Sequence, residues 1–442
     1  MKKIKIVFVL IMCALIIVTL FKFNFESPSI SEIDNRYLSE LDFDKGADRT
    51  QVIDEYIKDR VGYRSFAINS FSYLNDLLFN QLEHPTYTYG EDGHVFFRLS
   101  REYVDTQFLD QFCMYLKKVQ TYCEERNVPF IYCLNPSKVS VYSEYLPEGY
   151  VYKNAFINTY EEKLEEYGIN YISNYGLLKE KSASEQVYNI KYDAGHWNDL
   201  GAFYGTNNIL RKVHEYFPEV RENTLDDFEI TQELQTTLPV SYFKIKEYTP
   251  LFTLKETGNV EYVNGWYSTL KRDERHMALA TSINKEDLPN VLFFQGSYLN
   301  SRRKYFDERF GMYTSVHNYE NFLNFEYYFN VIKPDCVILE TADYATGTSF
   351  FDMSTVENYE LNPVLNVEKR QQAHSLGEFT YKKDIQNRLV ILEFDIDQVY
   401  QRGYLVVGNE SYDILVDKQS GKYTCTLDTN NFDERKAKVF FE

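Results

Sequence analysis

The chain has 442 residues, 47 basic against 66 acidic, for a formal charge of −19. That balance repels a phosphate backbone and excludes nucleic acid as a partner. With 44% hydrophobic residues, the length suits two or three folded units with a sizeable core. Aromatic residues make up 17%, with 39 Tyr. Such rings suit sugar faces, because a Tyr is apolar on its face and polar at its edge. A codon bias toward Tyr, Phe, Ile, Asn and Lys would give the same composition.

Residues 6–21 form a mostly apolar run, extended by Ile4 and Phe23 and preceded by Lys2, Lys3 and Lys5. Twenty helical residues span roughly 30 Å, the thickness of a bilayer core. Residues 1–24 therefore read as a transmembrane anchor. The flanking lysines place the N-terminus in the cytoplasm and the bulk of the chain outside the cell, a single-pass protein of the cell membrane. A cleavable signal peptide is the competing reading, but Lys22-Phe23-Asn24-Phe25 offers no small-residue cleavage site. Cys13, mid-run, reads as a membrane residue. Cys113 and Cys123 would lie about 15 Å apart on one helix, too far to bridge, and Cys133 and Cys336 read as core residues.

Residues 25–84 read as a polar stalk (26–47) and leading helices (49–80) with apolar residues at spacings of three and four. A hairpin follows over 87–97, then a helix over 103–126 and a buried strand over 128–134. A helix over 155–167, a strand over 169–172 and a helix over 199–217 continue the alternation, the last with Asp199 as its cap. The pattern resumes with a strand over 291–295, helices over 302–310 and 320–332, and a strand over 336–340. This alternation predicts an α/β domain over 85–347 with a parallel sheet and helices on both faces. Residues 218–284 are less periodic and read as an insertion over the catalytic edge. Short strands at 390–394, 403–407, 412–416, 423–427 and 437–441 predict an all-β accessory unit over 348–442, a small sandwich.

Two local features carry chemistry. Strand 291–295 empties into Gly296-Ser297-Tyr298, and Asp193-Ala194-Gly195-His196 sits in a loop before a helix. A Ser on a tight turn, a His to take its proton and an Asp to orient the imidazole are the parts of a hydroxyl nucleophile. Ligand sites in α/β sheets form at the carboxyl ends of strands, where Ser297 falls. The turn N–H groups around Gly296 and Tyr298 are candidate oxyanion donors. The other His residues (84, 94, 214, 276, 317, 374) lack metal-ligand spacing, so neither a metal nor a cofactor is expected.

Asp193-x-x-His196 followed by Trp197, Asn198 and Gly201-Ala202 resembles the Asp-x-His-Trp signature of the alginate O-acetyltransferase group of SGNH-like proteins, the DHHW group. Further blocks agree in order: Asp59-Arg60-Val61-Gly62-Tyr63-Arg64, the 90–97 hairpin, Pro136-Ser137-Lys138 with Tyr142 and Leu146-Pro147, and Lys333-Pro334-Asp335 leading into 336–340. The resemblance covers roughly residues 50 to 345. It implies an SGNH-hydrolase-like (flavodoxin-like) fold, and acetyl transfer to or from a polysaccharide at the cell surface. Carried over by position, Ser297 is the nucleophile, His196 the general base and Asp193 its partner. Gly296, Tyr298, Lys138 and Asn318 are candidates for substrate or oxyanion binding. The family's Gly-Asp-Ser is here Gln295-Gly296-Ser297, without the acidic residue, and the Asp-to-His spacing is one residue longer than in the signature.

Three functions follow as expectations. The first is an O-acetyltransferase that takes acetyl from a partner membrane protein and passes it to a polysaccharide. The second is a carbohydrate acetylesterase with the same three residues and water as acceptor. The third is a non-catalytic glycan- or partner-binding scaffold, and a serine held far from the histidine would favour it.

Overall fold

The computed structural model describes residues 2–442 apart from 32, 34–35, 44–47, 80, 240, 242, 256–257, 259, 264–278, 285, 318, 358, 387, 397 and 417–420. It opens with helix α1 (Lys2–Phe21), its apolar side chains exposed, Phe8 and Leu10 among them. The expected bilayer span falls on α1, where the side chains at 2–4, 11, 15 and 16 lie outside the description. Among the described residues no helix is long and apolar enough to cross a membrane. Helices α2 (Arg49–Arg60) and α3 (Arg64–Phe79) follow. The expected stalk is tied down over much of its described length. Buried Arg60 donates to the carbonyls of Asn24, Glu26 and Ser39, and Asp59 accepts from Arg36 and Ser39. That is what the Asp59-Arg60 block does physically: it folds the preceding segment onto α2.

A short hairpin, β1 (Tyr87–Tyr89) and β2 (Val95–Phe97), leads into α4 (Thr106–Glu124). Asp105 caps α4 by accepting the Phe108 N–H, and Asn127, at φ 57°, turns the chain out of it. Then come β3 (Phe130–Asn135), the single turn α5 (Lys138–Val141), α6 (Ala155–Glu166), β4 (Tyr171–Ser173), α7 (Tyr175–Ser182) and α8 (Asp199–His214). Asn198, not Asp199, caps α8, because its side chain accepts the Gly201 N–H; Asp199 has another task, described below.

The 218–284 insertion is more than a cover. Strands β5 (Phe228–Thr237) and β6 (Lys244–Leu254) form a long hairpin, but β7 (Val260–Tyr262) and β8 (Leu279–Asn284) join the central sheet. The sheet is completed by β9 (Asn290–Gln295), β10 (Met312–His317) and β11 (Cys336–Ala342), the last preceded by α9 (Phe325–Ile332). Among the described residues its order is β4-β3-β11-β9-β10-β8-β7. The first five strands are parallel, as expected, while β8 and β7 make an antiparallel edge. Every residue of β3 and β11 is buried, as in a sheet covered on both faces. Tyr132 packs on Phe112 of α4 and Tyr160 of α6, whereas Cys133 and Asn135 face Asn174 and α8.

Two expected helices differ. Residues 302–310 contain one 3-10 turn, Arg303–Tyr305, because their apolar side chains cluster on Phe293 and Tyr313 while Asp199 holds Arg302 and Lys304 and Asp227 holds Arg309. Residues 320–332 begin as a 3-10 segment before α9. Strand β10 is the element the sequence hid: Met-Tyr-Thr-Ser-Val-His is too polar to read as a buried strand. Beyond it lie α10 (Val367–Gln371) and strands β12 (His374–Ser375), β13 (Tyr381–Gln386), β14 (Leu389–Phe394), β15 (Gly403–Val407), β16 (Glu410–Val416), β17 (Tyr423–Asp428) and β18 (Ala437–Phe441). Instead of two separate sheets they form one antiparallel sheet, β12-β18-β15-β16-β17-β14-β13. Strand β16 joins its halves, pairing with β15 through residue 414 and with β17 from residue 415, and the sheet encloses its own core of Leu392, Leu405, Tyr412 and Val439.

Candidate active site

Strands β3, β9 and β11 run parallel and end together, so the segments leaving their carboxyl ends converge. Val291 to Gln295 are buried, and so are Gly296 and Tyr298; Ser297 between them is exposed. The turn therefore pushes one hydroxyl out of an otherwise sealed sheet edge.

The partner loop arrives from before α8. His196 Nε2 lies 2.8 Å from Ser297 Oγ, and His196 Nδ1 lies 2.6 Å from Asp193 Oδ1, which also accepts the His196 backbone N–H at 3.3 Å. Burial alone would raise the Asp193 carboxyl. The His196 ring and backbone and the Arg302 guanidinium outweigh it and hold the group below its ordinary range. An ionised Asp193 accepts a hydrogen bond from Nδ1–H, which keeps the proton on Nδ1 and leaves Nε2 as an acceptor for the serine O–H. The two residues, a hundred positions apart in sequence, are thus neighbours.

The loop is built to stay in place. Asp193 sits at φ 51°, a left-handed conformation that Asp tolerates better than most residues. Glu247 of β6 accepts three successive N–H groups, from Ile190, Lys191 and Tyr192, at 2.6 to 2.9 Å. Gly195 has no room for a side chain, since a Cβ there would come 2.2 Å from the Phe97 ring. Trp197 lies against Gly205 of α8, where a Cβ would come 2.3 Å from its ring, and its Nε1 donates to the Tyr298 carbonyl, coupling the His loop to the Ser turn. Asp199 locks the same junction from below, accepting from Arg302, Lys304 and the Phe252 N–H.

Behind the serine turn, an acidic residue stands on the next strand of the sheet. Glu340 of β11 is fully buried and accepts the Gly296 N–H at 2.9 Å and Asn135 Nδ2 at 2.8 Å. A line of amides points at it: Asn208 donates to Asn174, Asn174 to Asn135, and Asn135 to Glu340. Burial pushes the Glu340 carboxyl up to about 7, against the pull of these donors and of His196. The family-like block ending at Glu340 marked a strand but gave this side chain no role; its place beside β9 in the sheet is a tertiary fact.

The expected accessory residues are placed differently. The Gly296 N–H is taken by Glu340 and does not face the cleft, whereas the Ser297 N–H has no acceptor among the described residues. Tyr298 is buried, its hydroxyl 2.7 Å from the Gly195 carbonyl and 2.8 Å from that of Pro136, with its ring edge-on to His196. Its side chain packs against the histidine. Lys138 is also buried, and its ammonium donates to the Val95 and Ile190 carbonyls at 2.7 Å; burial lowers it to about 7. It staples the hairpin to the His loop. Asn318 lies outside the described residues.

Sequence reasoning missed Tyr344, just past β11. Its hydroxyl lies 3.3 Å from Ser297 Oγ and 3.4 Å from His196 Nε2. Beside it and Gly195 opens a cleft of about 440 Å3, within the range of small-molecule sites, walled by Phe97, Arg101, Tyr103, Tyr150 and Tyr152. At its base Asp343 is held by the Ser137 and Ser140 hydroxyls and by the Ser137 and Tyr344 N–H groups. Among the described residues, no cluster of His, Cys, Asp and Glu could hold a metal ion.

No family model matches the chain, and no curated protein matches it. Among solved structures, Bacillus cereus PatB1 with a sulfonyl adduct is 14% identical with a TM-score of 0.47, covering 62% of this chain and 99% of that one. The O-acetyltransferase domain of Pseudomonas putida AlgJ is 13% identical (TM-score 0.41; 62% and 99% covered). A DHHW family protein from Eubacterium siraeum is 14% identical (TM-score 0.44; 64% and 98% covered). At these values the reading of the site rests on its own geometry.

Proposed function

We propose that this protein is a serine acyltransferase of the O-acetyltransferase type, working outside the cell on a polysaccharide. The observation that carries the reading is the continuous relay from Asp193 through His196 to an exposed Ser297 hydroxyl. His196 Nε2 takes the Ser297 proton as Oγ attacks the carbonyl of an acetyl ester. Negative charge then develops on the carbonyl oxygen, and the Tyr344 hydroxyl and the Ser297 N–H are the donors in reach of it. Collapse of this intermediate expels the donor's alcohol, protonated by His196, and leaves acetyl on Ser297. A sugar hydroxyl, deprotonated by the same imidazole, takes the acetyl and restores the serine.

The aromatic cleft beside Tyr344 supports a glycan acceptor, since Tyr103, Tyr150 and Tyr152 present flat faces with polar edges. The mostly apolar run behind Lys2, Lys3 and Lys5 supports an anchor in the cell membrane, with a membrane protein as acetyl donor. An esterase is the second reading, favoured by the exposure of Ser297, which admits water as acceptor. Incubating the full-length protein with an activated acetyl ester, with and without oligosaccharide, separates the two. Acetylated sugar that disappears in Ser297→Ala supports transfer. Acetate release that sugar does not reduce supports hydrolysis, and neither product refutes both.

A further inference from the structure

A helix on a soluble surface buries its apolar stripe and shows water its polar one. Helix α3 does the reverse. Ser72 is fully buried and its hydroxyl donates to the Glu83 carbonyl at 2.5 Å, while Asp76 accepts the Tyr89 hydroxyl at 2.7 Å. The polar stripe thus faces the protein. On the other side Phe66, Phe71, Leu74, Leu77 and Leu78 are exposed, Phe66 by 71% and Leu77 by 64%, with no charged residue among them.

This outward stripe starts where α1 ends. The Gly62 N–H donates to the Thr19 carbonyl at 3.1 Å and the Asn24 N–H to the Arg60 carbonyl at 2.9 Å, so the foot of α1 is bonded to the α2–α3 junction. The Phe23 ring packs on Tyr56 of α2, 5.8 Å between centroids, and Arg60 lies over the other end of that contact, 4.6 Å from the Tyr56 ring. Three residues separate α2 from α3, which leaves α3 little freedom relative to the foot of α1. Two exposed apolar surfaces, one on each helix, therefore meet at a single fixed corner.

We infer that α3 is an interfacial helix whose Phe66–Leu78 face lies in the headgroup–acyl boundary of the bilayer, holding the catalytic domain at a set orientation to the membrane. The inference rests on the membrane-anchored reading above. A lipid surface is the occupant the observations favour, because the stripe begins at the junction bonded to the foot of α1 and is broad and uncharged. Apolar burial alone suffices for it, so lipids without net charge should serve.

The test uses full-length protein with Cys13→Ser, whose remaining cysteines are all buried. A nitroxide is placed at Leu77→Cys, at Phe66→Cys as a second position, or at Gln232→Cys on the exposed face of β5 as a water-facing control. The samples are reconstituted in phosphatidylcholine vesicles. The inference predicts that labels at 77 and 66 relax at least several-fold more with dissolved oxygen than with a water-soluble nickel chelate, and the label at 232 the reverse. Protein that floats with the vesicles while labels at 77 and 66 stay nickel-accessible overturns the inference and leaves the anchor standing. Labels shielded from both reagents would mean that a protein surface covers α3, which also overturns it. Protein that does not float with the vesicles refutes the anchored reading, and the inference with it.

Discussion

Replacing Glu340 with Gln separates stability from activity in a direction the structure fixes. The carboxyl ordinarily titrates near 4.5 and is pushed up to about 7 by burial, a difference of 2.5. At about 1.36 kcal/mol per pKa unit this amounts to roughly 3 kcal/mol. Its folded-state value lies above its unfolded one, so between pH 4.5 and 7 the native state keeps a proton that the unfolded chain has lost. Stability therefore falls as pH rises through that window. Gln cannot titrate, so the wild type should lose roughly 3 kcal/mol relative to Glu340→Gln between pH 4.5 and 7.5. Gln also offers one acceptor oxygen where two donors, the Gly296 N–H and Asn135 Nδ2, now find two, and an unmet buried donor costs about 1–3 kcal/mol. The serine turn loosens, and kcat should drop on the order of tenfold to a hundredfold at neutral pH even where the variant is no less stable. Thermal melts of both proteins across this pH range, paired with ester turnover, read both effects. Melting curves that shift in parallel at every pH would refute the reasoning.

Tyr344→Phe removes the proposed oxyanion donor but no core contact, and should lower kcat for ester cleavage on the order of 10² to 10³ with little change in melting temperature; an unchanged kcat would restrict the hole to backbone groups. Glu247→Ala strips the acceptor from three N–H groups of the His loop, and hydrogen exchange at Ile190 to Tyr192 should accelerate together with a loss of kcat. Gly195→Ala drives a methyl group into Phe97 and should cost activity before stability, because the loop can move at the expense of the His196–Ser297 contact. Each is measured on purified full-length protein by ester turnover and melting temperature.

The alternation of elements and the two halves of the relay were readable in the sequence because each is local. Apolar runs such as 291–295 and 336–340 become buried parallel strands, and Asp193 with His196 share one short loop. What was not readable depends on tertiary neighbours. Strand β10 is polar in sequence and buried only because β8 and β9 flank it. Residues 302–310 carry helical spacing, yet Asp199 and Asp227 capture Arg302, Lys304 and Arg309 one by one and hold the chain irregular. Lys138 resembles a substrate-binding lysine by motif, but its stem runs inward to two carbonyls. Tyr344 has no signature at all and Glu340 is only the end of a family-like strand block, because the place of one is set by where β11 ends and that of the other by which strand lies beside β9.

The most direct measurement of the central claim is covalent labelling of the intact protein with a fluorophosphonate, followed by peptide mapping. The relay predicts stoichiometric modification at Ser297 that is abolished in His196→Ala, whose serine is still present but no longer deprotonated. A wild-type protein that stays unmodified, or one that labels equally well without the imidazole, would contradict it.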